Sequence, residues 1–295
     1  MLEHVTRRRI ALPERGVEIA LLDWGGEGPL ALLHHANGFL AATWDLVAQR
    51  LREHFHVVGM DGRGHGDSSK PTGEGAYGWG HFGADLAGVA RVLAAEAGGR
   101  IALGLGHSFG GTSMVLAAAE EPDLFERLIL VDPPLPPPEE LNELDPIRTE
   151  RANDLVEGAR KRRSVWDSRE QARAAWSEKP LFEAWDPRAF DLYVAEGLAD
   201  RPDGQVELKC RGEIEGAIFS QGFSFDLWSL AARVSTPTLV LWASGGNFPR
   251  ALYEGFSKAL GDARVADLAG GHLVVMEQPD LVVQAVLGFA GPDRG

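Results

Sequence analysis

Gly106-His107-Ser108-Phe109-Gly110 places a serine between small residues in the pattern Gly-x-Ser-x-Gly. In a chain with 36 glycines the pentapeptide alone says little. Its setting says more. The apolar run Ile101–Leu105 before it reads as a strand, and Phe109–Glu120 after it reads as a helix rich in small residues. A sharp strand-to-helix turn lifts a serine hydroxyl above the end of a sheet, and the helix N-terminus beneath it favours negative charge on a nearby oxygen. A serine hydroxyl is a poor nucleophile until a neighbouring base removes its proton. His272 suits the role of that base. It follows the strand-like stretch Arg264–Leu268 and two glycines, and it precedes Glu277-Gln278-Pro279, which places it on a loop at the strand ends.

The elements that must position these residues alternate in type. Arg8–Leu12 and Val17–Trp24 read as short strands around a Pro-Glu-Arg-Gly turn, and Leu30–His35 as a strand buried on both faces. Trp44–Arg52 has helical periodicity with Thr43 placed as its cap, and His56–Met60 is strand-like and ends at Asp61. Trp79–Ala97 is a long helix stopped by Gly98-Gly99, and Leu128–Val131 is another strand. Such alternation predicts a parallel sheet with helices on both faces. It breaks at Pro133, Pro134, Pro136, Pro137 and Pro138, where the chain must leave the sheet. From about Leu141 to Ala231 the signals are helical and aromatic residues are frequent. Alternation resumes at Thr238–Trp242, Tyr253–Leu260, Arg264–Leu268 and Leu281–Phe289.

The chain resembles the α/β-hydrolase superfamily over nearly its whole length. The resemblance rests on His35-Ala36-Asn37-Gly38-Phe39, on Asp61-Gly62-Arg63-Gly64-His65-Gly66-Asp67-Ser68, on the Ser108 turn and on Gly271-His272, in that order. It implies the α/β-hydrolase fold: a mostly parallel eight-stranded sheet with helices on both faces and a helical cap inserted after strand 6. The expected division is a core of residues 1–134 and 232–295 interrupted by a cap of residues 135–231. The resemblance also implies Ser108 as nucleophile and His272 as base. The oxyanion donors it implies are the N–H of Phe109 and, from the loop after the third strand, that of Asn37, with Gly38 as the alternative.

The triad acid departs from the commonest pattern. Most relatives carry an aspartate after the seventh strand, but here that loop is Ala243-Ser244-Gly245-Gly246-Asn247-Phe248, without a carboxylate. Some relatives carry the acid after the sixth strand, and that place is Asp132. Asp61 also ends a strand and ranks second. A serine at position 108 excludes the carboxylate-nucleophile branches, epoxide hydrolases and haloalkane dehalogenases. The expected activity is cleavage of a carboxylic ester or lactone with an apolar or aromatic portion. Carbon–carbon hydrolase, thioesterase and perhydrolase chemistry, or a non-catalytic ligand receptor, are the alternatives. Phe39, His107, Trp176, Trp185 and Trp228 are candidate substrate contacts, although the tryptophans serve a cap core equally well.

Composition narrows the partners. A formal charge of −14 disfavours nucleic acid and anionic membrane, and the Arg160–Arg163 cluster reads as a solvated helix face. No apolar run reaches the roughly 20 residues a membrane span needs. One cysteine, Cys210, allows no internal disulfide, and Arg7–Arg9 precede no signal-peptide core. A cytoplasmic protein with a small-molecule substrate is expected, with a homodimer left open. No cofactor and no metal are expected, since no His-Glu-x-x-His or clustered-cysteine spacing occurs.

Overall fold

The strand-like and helix-like segments assemble around one large sheet in a computed structural model that describes residues 2, 4–135, 146–221 and 225–291. Pro136–Pro138 and Phe223 lie outside the described residues. The sheet strands are β1 (Thr6–Leu12), β2 (Val17–Gly25), β3 (Leu30–His34), β4 (His56–Met60), β5 (Leu103–His107), β6 (Leu128–Val131), β10 (Thr238–Gly245) and β11 (Ala263–Gly271). Their order is β1-β2-β4-β3-β5-β6-β10-β11. β2 runs antiparallel to both its neighbours, and every other pairing is parallel.

Side-chain alternation along the central strands builds two cores. Leu32, Val58, Leu128, Leu130 and Val240 face α2 (Trp79–Ala97), α3 (Phe109–Glu120) and α10 (Arg250–Ala259), where they meet Leu86, Met114 and Phe256. Ala31, Leu33, Val57, Ile129, Val131, Leu239 and Leu241 point the other way, toward Val47 and Leu51 of α1 (Asp45–Leu51) and Val282 and Val286 of α12 (Pro279–Ala290). Successive strand residues project to opposite faces, so a strand clad on both sides must be apolar throughout. That explains the uninterrupted apolar runs.

Three local expectations shift. Thr43 does not cap α1: residues Ala41–Trp44 form a 3₁₀ turn, and the Thr43 hydroxyl donates back to Leu40 O at 2.8 Å. The fifth strand begins at Leu103, and Ile101 makes only an isolated bridge to Phe125. β10 runs on to Gly245, past the Trp242 end read from the apolar run.

Between β6 and β10 the described chain holds α4 (Pro146–Arg160), α5 (Arg169–Trp176), α6 (Pro180–Glu183), α7 (Pro187–Glu196), α8 (Gly212–Ser220) and α9 (Leu227–Ala231). It also contains a small antiparallel sheet, β7 (Val165–Trp166), β9 (Val206–Leu208) and β8 (Leu198–Asp200), in a stretch read as wholly helical. Strands of two or three residues are too short to show an alternating pattern. The insertion docks on the sheet domain through α7, which packs against residues 41–44, and the Asp186 N–H donates to Met276 O at 2.9 Å.

Candidate active site

The turn between β5 and α3 holds Ser108 at φ 53°, ψ −123°, a conformation that non-glycine residues rarely adopt. Close packing imposes it. A Cβ at Gly110 would lie 2.4 Å from His34 O, and one at Gly106 would lie 2.4 Å from Gly110 O. Only glycine lets β3, β5 and the start of α3 approach this closely.

His272 follows β11 and reaches across the strand ends. Its Nε2 is 2.8 Å from Ser108 Oγ and its Nδ1 is 2.6 Å from Asp132 Oδ2. A carboxylate only accepts, so Nδ1 carries the proton and the Nε2 lone pair faces the serine O–H. Asp132 itself has φ 43° and no exposed surface. Its other oxygen accepts from Tyr253 Oη at 2.8 Å and from the Ala243 N–H at 3.2 Å. The extra residues of β10 supply that N–H, and α10 supplies Tyr253, whose hydroxyl burial and the adjacent Asp132 hold far above the usual phenol range. Tyr253 escaped notice in the sequence because a tyrosine on an amphipathic helix reads as core.

The rival acids are elsewhere. Asp61 is spent on its own turn, where its two oxygens accept the N–H groups of Ala41 at 2.7 Å and Asp67 at 2.9 Å. Asn247 is exposed.

The loop after β3 is braced by neutral imidazoles. His35 Nδ1–H donates to Ala36 O at 2.7 Å, and its Nε2 accepts the Gly62 N–H at 2.9 Å. His65 Nδ1–H donates to Arg63 O, and its Nε2 accepts the Gly38 N–H at 3.0 Å. Gly38 is thereby occupied, which leaves Asn37 as the loop's candidate oxyanion donor. The second candidate, the Phe109 N–H, begins α3 and has no partner within that helix.

The proposed substrate contacts separate. Phe39 packs against Trp185 at 5.5 Å and Tyr193 at 5.4 Å between ring centres, directly beside the Asn37 loop. Three others pack elsewhere. His107 is buried and directs Nε2–H at His272 O, 2.7 Å away, so its ring braces the His272 backbone. Trp176 is enclosed by Trp166, Phe182 and Tyr193 in the insertion's own aromatic core. Trp228 packs edge-on against Phe256 of α10 at 5.5 Å, within the core on the other face of the sheet.

Burial lowers the histidines of this region, His34 and His107 to about 3 and His35 to about 4, and holds His65 well below its ordinary value. An unfolded histidine titrates at about 6.5. Between these values the unfolded chain binds protons that the folded chain refuses, so stability is full above about pH 6.5 and is lost as pH falls. Each such group contributes a slope of up to ~1.4 kcal/mol per pH unit. Buried Asp61, with its carboxyl pushed up, works in the opposite direction. Urea midpoints measured from pH 7 to pH 4.5 are expected to drop steeply below pH 6.5; a flat profile contradicts the neutral assignment.

A hydroxyl, an imidazole and a carboxylate in series above the strand ends of such a sheet form the architecture of a hydrolase. The chain belongs to the Alpha/beta hydrolase family, whose model matches residues 31–285. It is 36% identical over 107 residues to a 2-(acetamidomethylene)succinate hydrolase of Mesorhizobium japonicum, covering 36% of each chain. An esterase of Mycobacterium tuberculosis is 37% identical over 114 residues, 39% of this chain and 36% of that one. These matches span little more than a third of either relative. The crystal structure of an E-2-(acetamidomethylene)succinate hydrolase superposes with a TM-score of 0.82 over 98% of this chain and 100% of that one, at 24% identity, a likeness of fold. Among the described residues no helix is long and apolar enough to cross a membrane, and no cluster of three metal-ligating side chains occurs.

Proposed function

We propose that the protein hydrolyses a carboxylic ester or lactone through an acyl-enzyme on Ser108. The observation that carries this reading is the continuous Ser108–His272–Asp132 hydrogen-bond series at 2.8 and 2.6 Å. Ser108 Oγ attacks the carbonyl carbon while His272 Nε2 takes its proton. Asp132 holds the imidazole tautomer and balances the imidazolium. The N–H groups of Asn37 and Phe109 receive the charge that develops on the carbonyl oxygen. His272 then protonates the departing alkoxide, and water attacks the acyl-enzyme by the same route in reverse.

Residues 135–231 act as a cap in this reading. Ser108 is only 7% exposed, so the reacting carbonyl enters a covered site. Phe39 and Trp185 give it an apolar wall, and the buried Trp185 indole N–H, without an acceptor among the described residues, is a donor for a polar group on the substrate. Trp185→Ala is expected to shift preference among acyl chain lengths at least several-fold while sparing a small acetyl ester, because cap contacts act on remote parts of the substrate. Trp228→Ala, on the opposite core, is expected to lower stability without changing that preference. Rates across an acyl series for both variants check this, and an unchanged preference in Trp185→Ala counts against the wall.

Amide cleavage is the second reading. The Mesorhizobium japonicum relative, named as a 2-(acetamidomethylene)succinate hydrolase, favours it. The chemistry differs only in the leaving group, an amine that His272 must protonate. A panel of matched esters, lactones, thioesters and acetamides decides between the two. Turnover of esters with no amide activity sustains the first, and the reverse sustains the second.

A further inference from the structure

The Asn37–Phe39 loop is gripped from two sides. His65 holds the Gly38 N–H from the sheet side. From the other side, three separate segments of the insertion converge on it. The Glu215 carbonyl in α8 accepts from Asn37 Nδ2 at 3.2 Å. The Glu215 carboxylate rests on Gly38, whose φ is +81°: a Cβ there would lie 2.5 Å from Glu215 Oε1 and 3.3 Å from Arg162 Nη1. Arg162 Nη1 pairs with that carboxylate, and Nη2 donates to Tyr193 Oη in α7 at 2.9 Å.

The two charged side chains are 24% and 12% exposed. An ion pair so far from water gains little net stability, because desolvation offsets its attraction. What it does supply is a fixed geometry. Glu215 of α8, Arg162 and Tyr193 of α7 are linked side chain to side chain against the loop that carries Asn37, the candidate oxyanion donor. A donor to an oxyanion must be held within a few tenths of an ångström before the reaction to be effective.

We propose that Glu215 is a positioning residue for the oxyanion loop, tied by Arg162 and Tyr193, so that the insertion completes the oxyanion geometry as well as covering the substrate. This rests on the acyl-enzyme reading above. Glu215 touches no reacting atom; its carboxylate acts through Gly38, while its main-chain carbonyl, which every substitution keeps, holds Asn37.

Removing one oxyanion donor outright costs roughly 10²–10³ in kcat, so loosening one is expected to cost about 10- to 100-fold. The test uses Glu215→Ala, Arg162→Met and the conservative Glu215→Gln in the full chain, on a small acetyl ester that makes no cap contacts. Glu215→Ala and Arg162→Met are expected to lose kcat by that factor with KM within about threefold. Affinity for a phenylboronic acid, which adds Ser108 Oγ to boron and places a B–O group in the oxyanion position, falls by the same factor. Glu215→Gln keeps the shape and an acceptor for Arg162, and retains most activity.

A folded Glu215→Ala with wild-type kcat, or with lost kcat but unchanged boronate affinity, overturns the proposal. So does a loss confined to KM. Where Glu215→Ala does not fold, Arg162→Met is judged by the same criteria. If wild-type Ser108 takes neither fluorophosphonate nor boronate, the acyl-enzyme reading fails and this inference with it. If wild type reacts and the variants match it, only the inference fails.

Discussion

Replacing Ser108 with alanine is expected to lower kcat for any ester substrate by on the order of 10⁶, the scale found when a triad nucleophile is removed. KM should change little, since the hydroxyl contributes to bond-making and hardly to binding. The same variant should lose all labelling by a fluorophosphonate, which wild type takes at Ser108 and nowhere else. Structure argues for so large an effect. The hydroxyl is aligned with His272 Nε2 at 2.8 Å, and the backbone there stands at φ 53° in a turn packed tightly through Gly106 and Gly110. Alanine fits that backbone no worse than serine does, so its thermal stability should match wild type. Residual turnover above about a hundredth of wild type, well beyond what oxyanion donors and binding retain without a nucleophile, would mean that another group attacks the carbonyl.

Asp132→Asn is expected to cut kcat by roughly 10⁴ while leaving the fold intact. The wild-type carboxylate receives three donors: His272 Nδ1–H on one oxygen, and Tyr253 Oη–H and the Ala243 N–H on the other. An amide presents an acceptor on one side only. If its oxygen stays with Tyr253 and Ala243, its NH₂ faces His272 and reverses the imidazole tautomer, which points Nε2–H at the serine. Asn247→Ala should cost little, and Asp61→Asn should act on stability, because Asp61 ties the Ala41 and Asp67 backbones. Steady-state kinetics of the three variants beside their melting temperatures check the assignment. Near-normal kcat in Asp132→Asn would show that the acid has been misplaced.

How far the sequence could be read follows from the range of each signal. The serine turn and the Gly-Gly-His loop announce themselves because their residue types are demanded locally, within five or six positions. Asp132 could be reached through the resemblance, since the loop after β10 has no carboxylate and some relatives carry the acid after the sixth strand, with Asp61 as the second choice. Tyr253 could not, because its partner lies 121 positions away and nothing near it in the chain marks its hydroxyl as anything but a core tyrosine's. The same holds for Arg162 and Glu215, 53 positions apart. Aromatic composition pointed to the insertion as a whole, yet it could not tell Trp185, beside Phe39, from Trp176 in the insertion's own core or Trp228 on the far face of the sheet. His107 shows the same limit: its neighbour in sequence is Ser108, but its ring packs against His272, 165 positions away. Local periodicity carried most of the fold, and pairings across the chain carried what it missed.

The interruption of the sheet between β6 and β10 has a consequence for how the chain reaches its native state. Leu128 pairs with Thr238 only after more than a hundred intervening residues have been looped out, and His272 meets Asp132 across 140 positions and Ser108 across 164. Contacts of such long range form late, because the loop-closure entropy is lost before the contacts repay it. The first six strands can gather around Ser108 while the serine still has no base. Recovery of activity during refolding is therefore a clock for the last event, the arrival of the C-terminal third on an already formed sheet edge.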